Sequence, residues 1–135
     1  IQEAIELIKS VEDLPIVLDH IAKPSIKTKS MQDWEKDIRA LAKYPNLYCK
    51  ISGMATEADW TRWKAEDLKP YLDIVVEAFG VDRLLFGSDW PVCLVASSYE
   101  RWLNTIKDYF KEFSSTEQEK IFALNCESFY TLEKA

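Results

Sequence analysis

Three short apolar runs in this sequence end in polar side chains of the types that carry out acid–base or metal-ligand chemistry. The first run ends in Asp19 and His20, the second in Lys50 and Ser52, and the third in Asp89. A buried charge is costly unless it is paired, bound to a metal or used in catalysis. Carboxyl ends of parallel strands are where α/β folds place their sites, so these residues are the first candidates for function.

Asp89 is the leading candidate, because the run Leu84–Phe86 before it has the pattern of a buried strand. Its carboxylate could accept a proton from water, ligate a metal, or do both. The structural alternative is that Asp89 caps the turn that begins at Trp90 and Pro91. Trp90 itself could line a substrate pocket or pack in the core.

His20 and Lys50 each have a functional and a structural interpretation. His20 is the only histidine in the sequence, and an imidazole at a strand end can bind a metal, shuttle a proton or polarise a carbonyl. Its structural alternative is a hydrogen bond to a neighbouring loop. Lys50 could bind a carboxylate of a ligand, whereas Asp19 or Asp89 would serve equally well as a structural partner.

The elements that must position these residues are three short strands separated by amphipathic helices. The spacing predicts strands at Ile16–Leu18, Leu47–Ile51 and Leu84–Phe86, with about thirty residues per repeat, the size of a βαβ unit. Right-handed crossovers make the strands parallel, so their polar ends converge on one face. Ser30 is expected to cap the helix after the first strand, and Ser114 to open a capping box with Glu117.

The fold class predicted from this order is α/β, as the carboxyl-terminal part of a TIM (β/α)8 barrel. About three parallel βα units plus carboxyl-terminal helices make only a thin sheet with open edges, whereas a complete barrel needs about 250 residues. No linker or low-complexity tract divides residues 1–135, so we expect a single domain.

Composition excludes several function classes. The chain has 135 residues, 47% of them hydrophobic, and a net charge of −6 without a basic stripe, which argues against a nucleic-acid partner. It contains no apolar stretch long enough to span a membrane and no signal pattern. Cys49, Cys93 and Cys126 lie far apart, which predicts free thiols in a reducing compartment and a cytoplasmic location.

The sequence also contains neither the motif of a serine nucleophile nor the common phosphate-binding motifs. Ser52 and Ser88 lack the flanking glycines of the G-x-S-x-G nucleophile elbow, although a serine, a histidine and an aspartate are all present. The glycines at positions 53, 80 and 87 form neither a P-loop nor a dinucleotide fingerprint. A serine hydrolase and a nucleotide-binding protein are therefore disfavoured.

Three segments of the chain resemble the amidohydrolase-2 family, and most closely its L-rhamnono- and L-fucono-lactonase branch. They are Ile16–Pro24, Asn46–Gly53 and Arg83–Pro91, and they occur in the order of the family's motifs. The closing segment Phe122–Tyr130 also resembles the last helix of that family. The resemblance covers essentially the whole chain.

The resemblance implies that the chain is the carboxyl-terminal half of a TIM barrel. His20 then ends the sixth strand, Lys50 and Ser52 lie on the seventh facing or near the pocket, and Asp89 ends the eighth, where it helps to activate the hydrolytic water. His20 and Asp89 are also the residues that would bind a divalent metal such as zinc, although metal use varies within this branch and the enzyme can be metal-independent. The family's histidine pair on the first strand has no counterpart here.

The expected function is that of a lactonase-like hydrolase acting on a small lactone or sugar acid. Asp89 and His20 are the expected catalytic residues, and Lys50, Ser52 and Trp90 the expected substrate contacts. The full-length parent is expected to be the enzyme, and this chain alone to be inactive. The alternative is a non-catalytic half-barrel that binds a ligand or assembles with a partner chain, either a homo-oligomer or the missing amino-terminal half.

Overall fold

The computed structural model describes residues 2–11 and 14–132, so residues 1, 12–13 and 133–135 of the predicted domain lie outside the description. Helices and strands alternate along most of the chain. The elements are α1 Gln2–Ser10, β1 Ile16–Leu18, α2 Gln32–Leu41, β2 Leu47–Ile51, α3 Met54–Glu57, α4 Ala65–Phe79, β3 Leu84–Phe86, α5 Tyr99–Phe110, α6 Ser115–Glu119 and α7 Asn125–Phe129.

The described residues form one sheet of three parallel strands in the order β1-β2-β3. Leu18 is opposite Cys49, and Ile51 is opposite Phe86, so the carboxyl ends of all three strands lie at the same edge of the sheet. All three strands have the bounds predicted from the sequence. Their continuous apolar character is typical of parallel strands that helices cover.

The hydrophobic core lies between the sheet and the helices α2 and α4. Leu47, Cys49 and Ile51 alternate along β2 and are completely buried. They pack in one cluster with Ile38 of α2 and Leu72 of α4. Because each buried aliphatic side chain contributes about 1.5–3 kcal/mol, this face of the sheet is a principal source of stability.

The predicted helix caps have different outcomes. The capping box of Ser114 and Glu117 is confirmed, with the Ser114 hydroxyl accepting the Glu117 N–H. The expected cap at Ser30 is wrong, because α2 begins one residue later, after Met31, and no side chain caps it. Ser30 instead forms an isolated antiparallel bridge with Ser25.

The carboxyl-terminal helix is anchored to the sheet by Asn125. A π-helical turn, Lys120–Leu124, joins α6 to α7. The Asn125 amide, at the start of α7, donates hydrogen bonds of 2.7 Å to the Val81 carbonyl and 2.8 Å to the Leu84 carbonyl. These contacts fix the helix beside β3, which carries Asp89 at its other end.

The helices that the structure describes do not meet the requirements of a membrane-spanning helix. None of them combines the length and the apolar character that a membrane crossing requires.

Candidate active site

The loops after β1 and β3 bring His20 and Asp89 together at the carboxyl edge of the sheet. The His20 Nε2 and Asp89 Oδ1 atoms are 3.6 Å apart, and the two side chains are 26% and 12% exposed. The other ring nitrogen, Nδ1, lies 2.7 Å from the Ser52 Oγ atom, just beyond β2. The convergence of three strand ends that the sequence predicts is therefore present.

His20 begins a turn of left-handed backbone, which is unusual for residues other than glycine. Residues 20, 21, 22 and 23 have φ angles of 54°, 45°, 58° and 49°. Such conformations cost about 1–3 kcal/mol each and persist where the surroundings enforce them. Here Ile21 is completely buried, and its carbonyl accepts a 2.7 Å hydrogen bond from the Trp34 indole N–H of α2.

Two glycines make room for the His20 ring and its partner. A Cβ atom on Gly53, whose φ is +62°, would lie 2.8 Å from both Cβ and Cγ of His20. A Cβ atom on Gly87 would lie 3.1 Å from Cβ of Ser52 and 3.0 Å from two carbons of the Lys50 side chain. Larger residues at these two positions would displace the side chains of the site.

Asp89 also has a left-handed backbone, with a φ of 56°. The following turn is capped by Ser88, whose hydroxyl accepts the Trp90 N–H at 3.2 Å. Asp89 contributes only its backbone carbonyl to that turn, accepting the Cys93 N–H at 2.8 Å. In this described segment the capping role therefore falls to Ser88, and the Asp89 carboxylate faces His20.

Trp90 lies at the surface beside Asp89, with 65% of its area exposed. Trp90 is therefore not part of the hydrophobic core that the described residues form. Its peptide bond to Pro91 is cis.

Lys50 pairs with Asp19, which settles the choice between its two structural partners. Its Nζ atom lies 2.6 Å from Asp19 Oδ1 and 5.8 Å from the centre of the Tyr130 ring. Burial alone lowers the pKa of the Lys50 ammonium, but hydrogen bonds with Asp19 and Tyr130 outweigh burial and raise that pKa above its ordinary value. Lys50 is thus a charged group on the same side of β2 as Ser52.

The geometry disfavours a serine nucleophile, in agreement with the motif analysis. Ser52 is the serine in contact with His20, but its exposed fraction is 0%. A nucleophilic hydroxyl has to reach the substrate carbonyl, and Ser52 lies behind the imidazole instead.

His20 Nε2 and Asp89 Oδ1 fit two positions of a metal site. Their 3.6 Å separation exceeds a hydrogen bond but suits two ligands of one ion, since Zn–N and Zn–O bonds are about 2.0–2.2 Å. No group of three or more His, Cys, Asp or Glu side chains with metal-binding geometry occurs among the described residues. Catalytic zinc sites use three protein ligands, so a zinc ion here would need at least one from elsewhere.

Sequence reasoning missed three residues that shape this site. Gly53 has a signal, since a glycine within or close to a strand often marks a close approach of another group. The roles of Trp34 and Tyr130 depend on long-range contacts that no local pattern reveals. The three cysteines are free thiols, as predicted, with Cys49 and Cys93 buried and Cys126 partly buried.

Comparison with known proteins gives consistent matches. The family model described as Amidohydrolase matches residues 1–132. An L-fucono-1,5-lactonase of Burkholderia multivorans is 46% identical over 103 residues, covering 64% of this chain and 35% of that protein. An L-fucono-1,5-lactonase of Burkholderia ambifaria is 35% identical over 129 residues, covering 90% of this chain and 43% of that protein.

The fold agrees with these sequence matches. The crystal structure of an amidohydrolase from Burkholderia multivorans with bound zinc superposes with a TM-score of 0.89 at 34% identity. The match covers 95% of this chain and 48% of that one. The chain thus spans less than half the length of these relatives. Because the family match includes all three strands and the polar residues that follow them, the chain belongs to the Amidohydrolase family and forms part of a TIM barrel.

Proposed function

We propose that the protein that contains this chain is a hydrolase that opens the lactone ring of a small sugar acid. The observation that carries the proposal is the approach of Asp89 and His20 to 3.6 Å from two different strand ends. Two relatives named L-fucono-1,5-lactonase support the reaction type. The substrate class is accordingly a neutral lactone whose hydrolysis yields a hydroxy acid.

Asp89 acts as the general base in this proposal. Its carboxylate accepts a proton from a water molecule while the water oxygen attacks the ring carbonyl carbon. The C–O bond of the ring then breaks, and Asp89 returns the proton to the departing alkoxide oxygen. The products are a carboxylic acid and a hydroxyl on the same molecule, and Asp89 is regenerated.

His20 stabilises the negative charge that develops on the carbonyl oxygen. With its Nδ1 atom occupied by Ser52, the ring presents Nε2 toward Asp89 and the reacting carbonyl. A divalent ion such as zinc, held by His20 and Asp89 together with ligands from outside the described residues, supplies Lewis-acid polarisation when it is bound. In a metal-independent form a hydrogen bond from an Nε2–H group to the carbonyl oxygen serves the same purpose.

Lys50 and Trp90 are the proposed substrate contacts. Trp90 presents its exposed indole next to Asp89 and forms a wall against a sugar ring. Lys50 lies on the face of β2 opposite α2 and α4, and its Asp19 pairing leaves further ammonium protons for hydroxyl or carboxylate oxygens. Ser52, predicted as a substrate contact, is assigned here to His20 instead.

The proposed partner is the remainder of a barrel, supplied outside these 135 residues. Beyond Trp90 lies a segment of exposed apolar side chains comprising Val92, Leu94 and Val95. Exposed apolar clusters mark interaction surfaces, so this segment suits coverage by further strands and loops of the barrel or by a second copy. We accordingly propose that the chain alone is inactive.

The non-catalytic alternative is favoured by the same exposed segment, because a half-barrel that only assembles would also present it. Light scattering detects assembly of the chain with the remaining part of the protein, and lactone turnover of that assembly distinguishes the two hypotheses. Assembly that restores lactone turnover supports the enzyme, whereas assembly without turnover of any sugar lactone supports the alternative.

The test of the proposed function is Asp89→Asn in the full-length protein. Loss of the general base is expected to lower kcat for L-fucono-1,5-lactone hydrolysis by about 10²–10⁴-fold, as followed by acid release. Asp82→Asn, which removes a carboxylate paired with Lys120 outside the site, is the matched control and should retain activity. Full turnover by the Asp89 variant would contradict the proposal.

Metal dependence is measured separately by chelation and zinc addition. Activity that falls on chelation and returns with zinc supports the metal-bound form, and unchanged activity supports the metal-independent form. In both cases the effect of Asp89→Asn remains the test of the base.

A further inference from the structure

We infer that Ser52 is a positioning residue that fixes the orientation of the His20 ring. The inference rests on the proposed function, because Ser52 acts through His20 and has no contact of its own with the reacting atoms. Its hydroxyl lies 2.7 Å from Nδ1, and its side chain is 0% exposed. Ser52 therefore holds the imidazole through Nδ1, the ring nitrogen that does not face Asp89.

The hydroxyl group suits either protonation pattern of a neutral imidazole. A serine hydroxyl both donates and accepts, so it can donate to an unprotonated Nδ1 or accept from a protonated one. An aliphatic side chain does neither and would leave Nδ1 of the partly buried ring without this partner. Replacing Ser52 by Ala thus removes the interaction that selects one ring orientation, without adding bulk.

Gly53 and Gly87 allow close packing around His20 and Ser52. The absence of a Cβ atom at Gly53 allows His20 to approach the backbone, since that atom would lie 2.9 Å from Nδ1. On the other side, the absence of a Cβ atom at Gly87 leaves space for the Ser52 Cβ atom. The ring is thereby held between β2 and the left-handed turn, with Nε2 toward Asp89.

This arrangement explains why the 3.6 Å approach of Nε2 to Asp89 does not need a direct hydrogen bond. A separation of that length exceeds normal hydrogen-bond geometry and would not by itself hold the ring. The short contact with Ser52 provides the restraint, and Nε2 stays available to the substrate. Partners of this kind, behind a catalytic or ligating histidine, typically affect activity by about 10–100-fold when they are lost.

The test uses Ser52→Ala in the full-length, metal-free protein labelled with ¹⁵N- and ¹³C-histidine. His20→Gln identifies the His20 signals by their disappearance. We expect the wild-type ring to give one ordered set of ring signals, and the Ser52→Ala ring to show shifted signals with increased mobility. In parallel, kcat should fall about 10–100-fold with a much smaller change in KM.

Two further variants make the outcome specific. Ser52→Cys retains a weak donor and acceptor in a similar volume and should recover part of the ring order and of kcat. It also replaces Ser52→Ala if that variant does not fold. Ser97→Ala removes another buried serine hydroxyl, one that donates to the Ser98 carbonyl, and should change neither readout.

Unchanged His20 ring signals in Ser52→Ala, or a Ser52→Cys variant with no recovery relative to Ser52→Ala, would overturn the inference. The spectra require no substrate. A ring that loses its order in Ser52→Ala, in a protein without lactone turnover, would therefore refute the proposed function while supporting the positioning role.

Discussion

The two faces of the central strand β2 have opposite surroundings. Leu47, Cys49 and Ile51 point toward α2 and α4 and are completely buried, whereas Tyr48 and Lys50 on the other face stay partly exposed beside the aromatic rings at the end of α7. In a closed barrel, the face turned away from the helices is the interior, and its residues lead to the active-site edge. Alternate residues of β2 therefore have different roles. Leu47, Cys49 and Ile51 pack in the hydrophobic core, whereas Tyr48 and Lys50 lie on the same face as Ser52.

The largest expected effect on stability comes from the helix-facing side. Ile51→Ala in the full-length protein should lower the free energy of unfolding by about 2–5 kcal/mol, because it leaves a cavity in a completely buried position. Ile51→Val should cost about 0.5–1.5 kcal/mol. Urea denaturation checks both values, and equal stability of the two variants would show that this face is not tightly packed.

Gly53→Ala should have the next largest effect and is matched by Gly80→Ala. Both glycines have a positive φ, but an added Cβ atom collides with His20 only at Gly53, while nothing lies within 4 Å at Gly80. We expect about 1–3 kcal/mol of destabilisation at Gly80 with normal turnover, because its φ of 67° and ψ of 163° lie in a region that is essentially restricted to glycine. At Gly53 we expect destabilisation together with reduced kcat. If the two variants had the same melting temperature and the same kcat, the close contact between Gly53 and His20 would be refuted.

Alkaline pH should reveal the buried thiol on the helix-facing side. Burial raises the pKa of Cys49 well above the ordinary value of 9.0, and burial also raises that of Cys93. The unfolded chain therefore loses these protons first as pH rises, so stability present below pH 9 declines above it, by up to about 1.4 kcal/mol per pH unit for each thiol.

Urea denaturation between pH 8 and pH 10 measures this decline. Cys49→Ala is less stable at neutral pH but should show a shallower decline. Lys50→Met should leave the decline below pH 10 unchanged, because the raised pKa of Lys50 affects stability only above its ordinary value of 10.5. A Cys49→Ala slope as steep as that of the wild type would argue against the buried protonated thiol.

The smallest stability effect is expected on the polar face. Lys50→Met breaks a partly exposed ion pair with Asp19, and such pairs contribute about 0–1 kcal/mol. Its expected consequence is a raised KM for the lactone instead. Lys69→Met, which removes an exposed pair with Asp73 on α4, is the control and should leave KM unchanged. A normal KM in Lys50→Met would remove Lys50 from the proposed substrate contacts.

The regular elements were predictable because their signals are local. The strand Leu47–Ile51 and its neighbours are apolar runs of suitable length, and the Ser114 capping box is a four-residue pattern. The Ser30 cap failed because the backbone of Ser30 forms a bridge with Ser25, five residues earlier, and α2 begins only after Met31. The parallel arrangement followed from the handedness of the crossovers.

The candidate site was predictable in its members and not in its contacts. Periodicity places His20, Ser52 and Asp89 at one edge of the sheet, but it does not reveal which side chain faces which. The left-handed turn at His20 contains no glycine that would predict it. It is stabilised by a hydrogen bond from the indole of Trp34, which is distant in sequence. Choosing Asp19 over Asp89 as the partner of Lys50 likewise required the register of β1 and β2.

The central claim is that the ends of β1 and β3 form one working site, and a double-mutant cycle tests it most directly. Lactone kcat/KM is measured for the full-length wild type, Asp89→Asn, His20→Gln and the double variant. Residues that act as a unit give non-additive losses, so we predict that the double variant is about as impaired as the more affected single variant. Two losses that multiply independently would contradict a shared site.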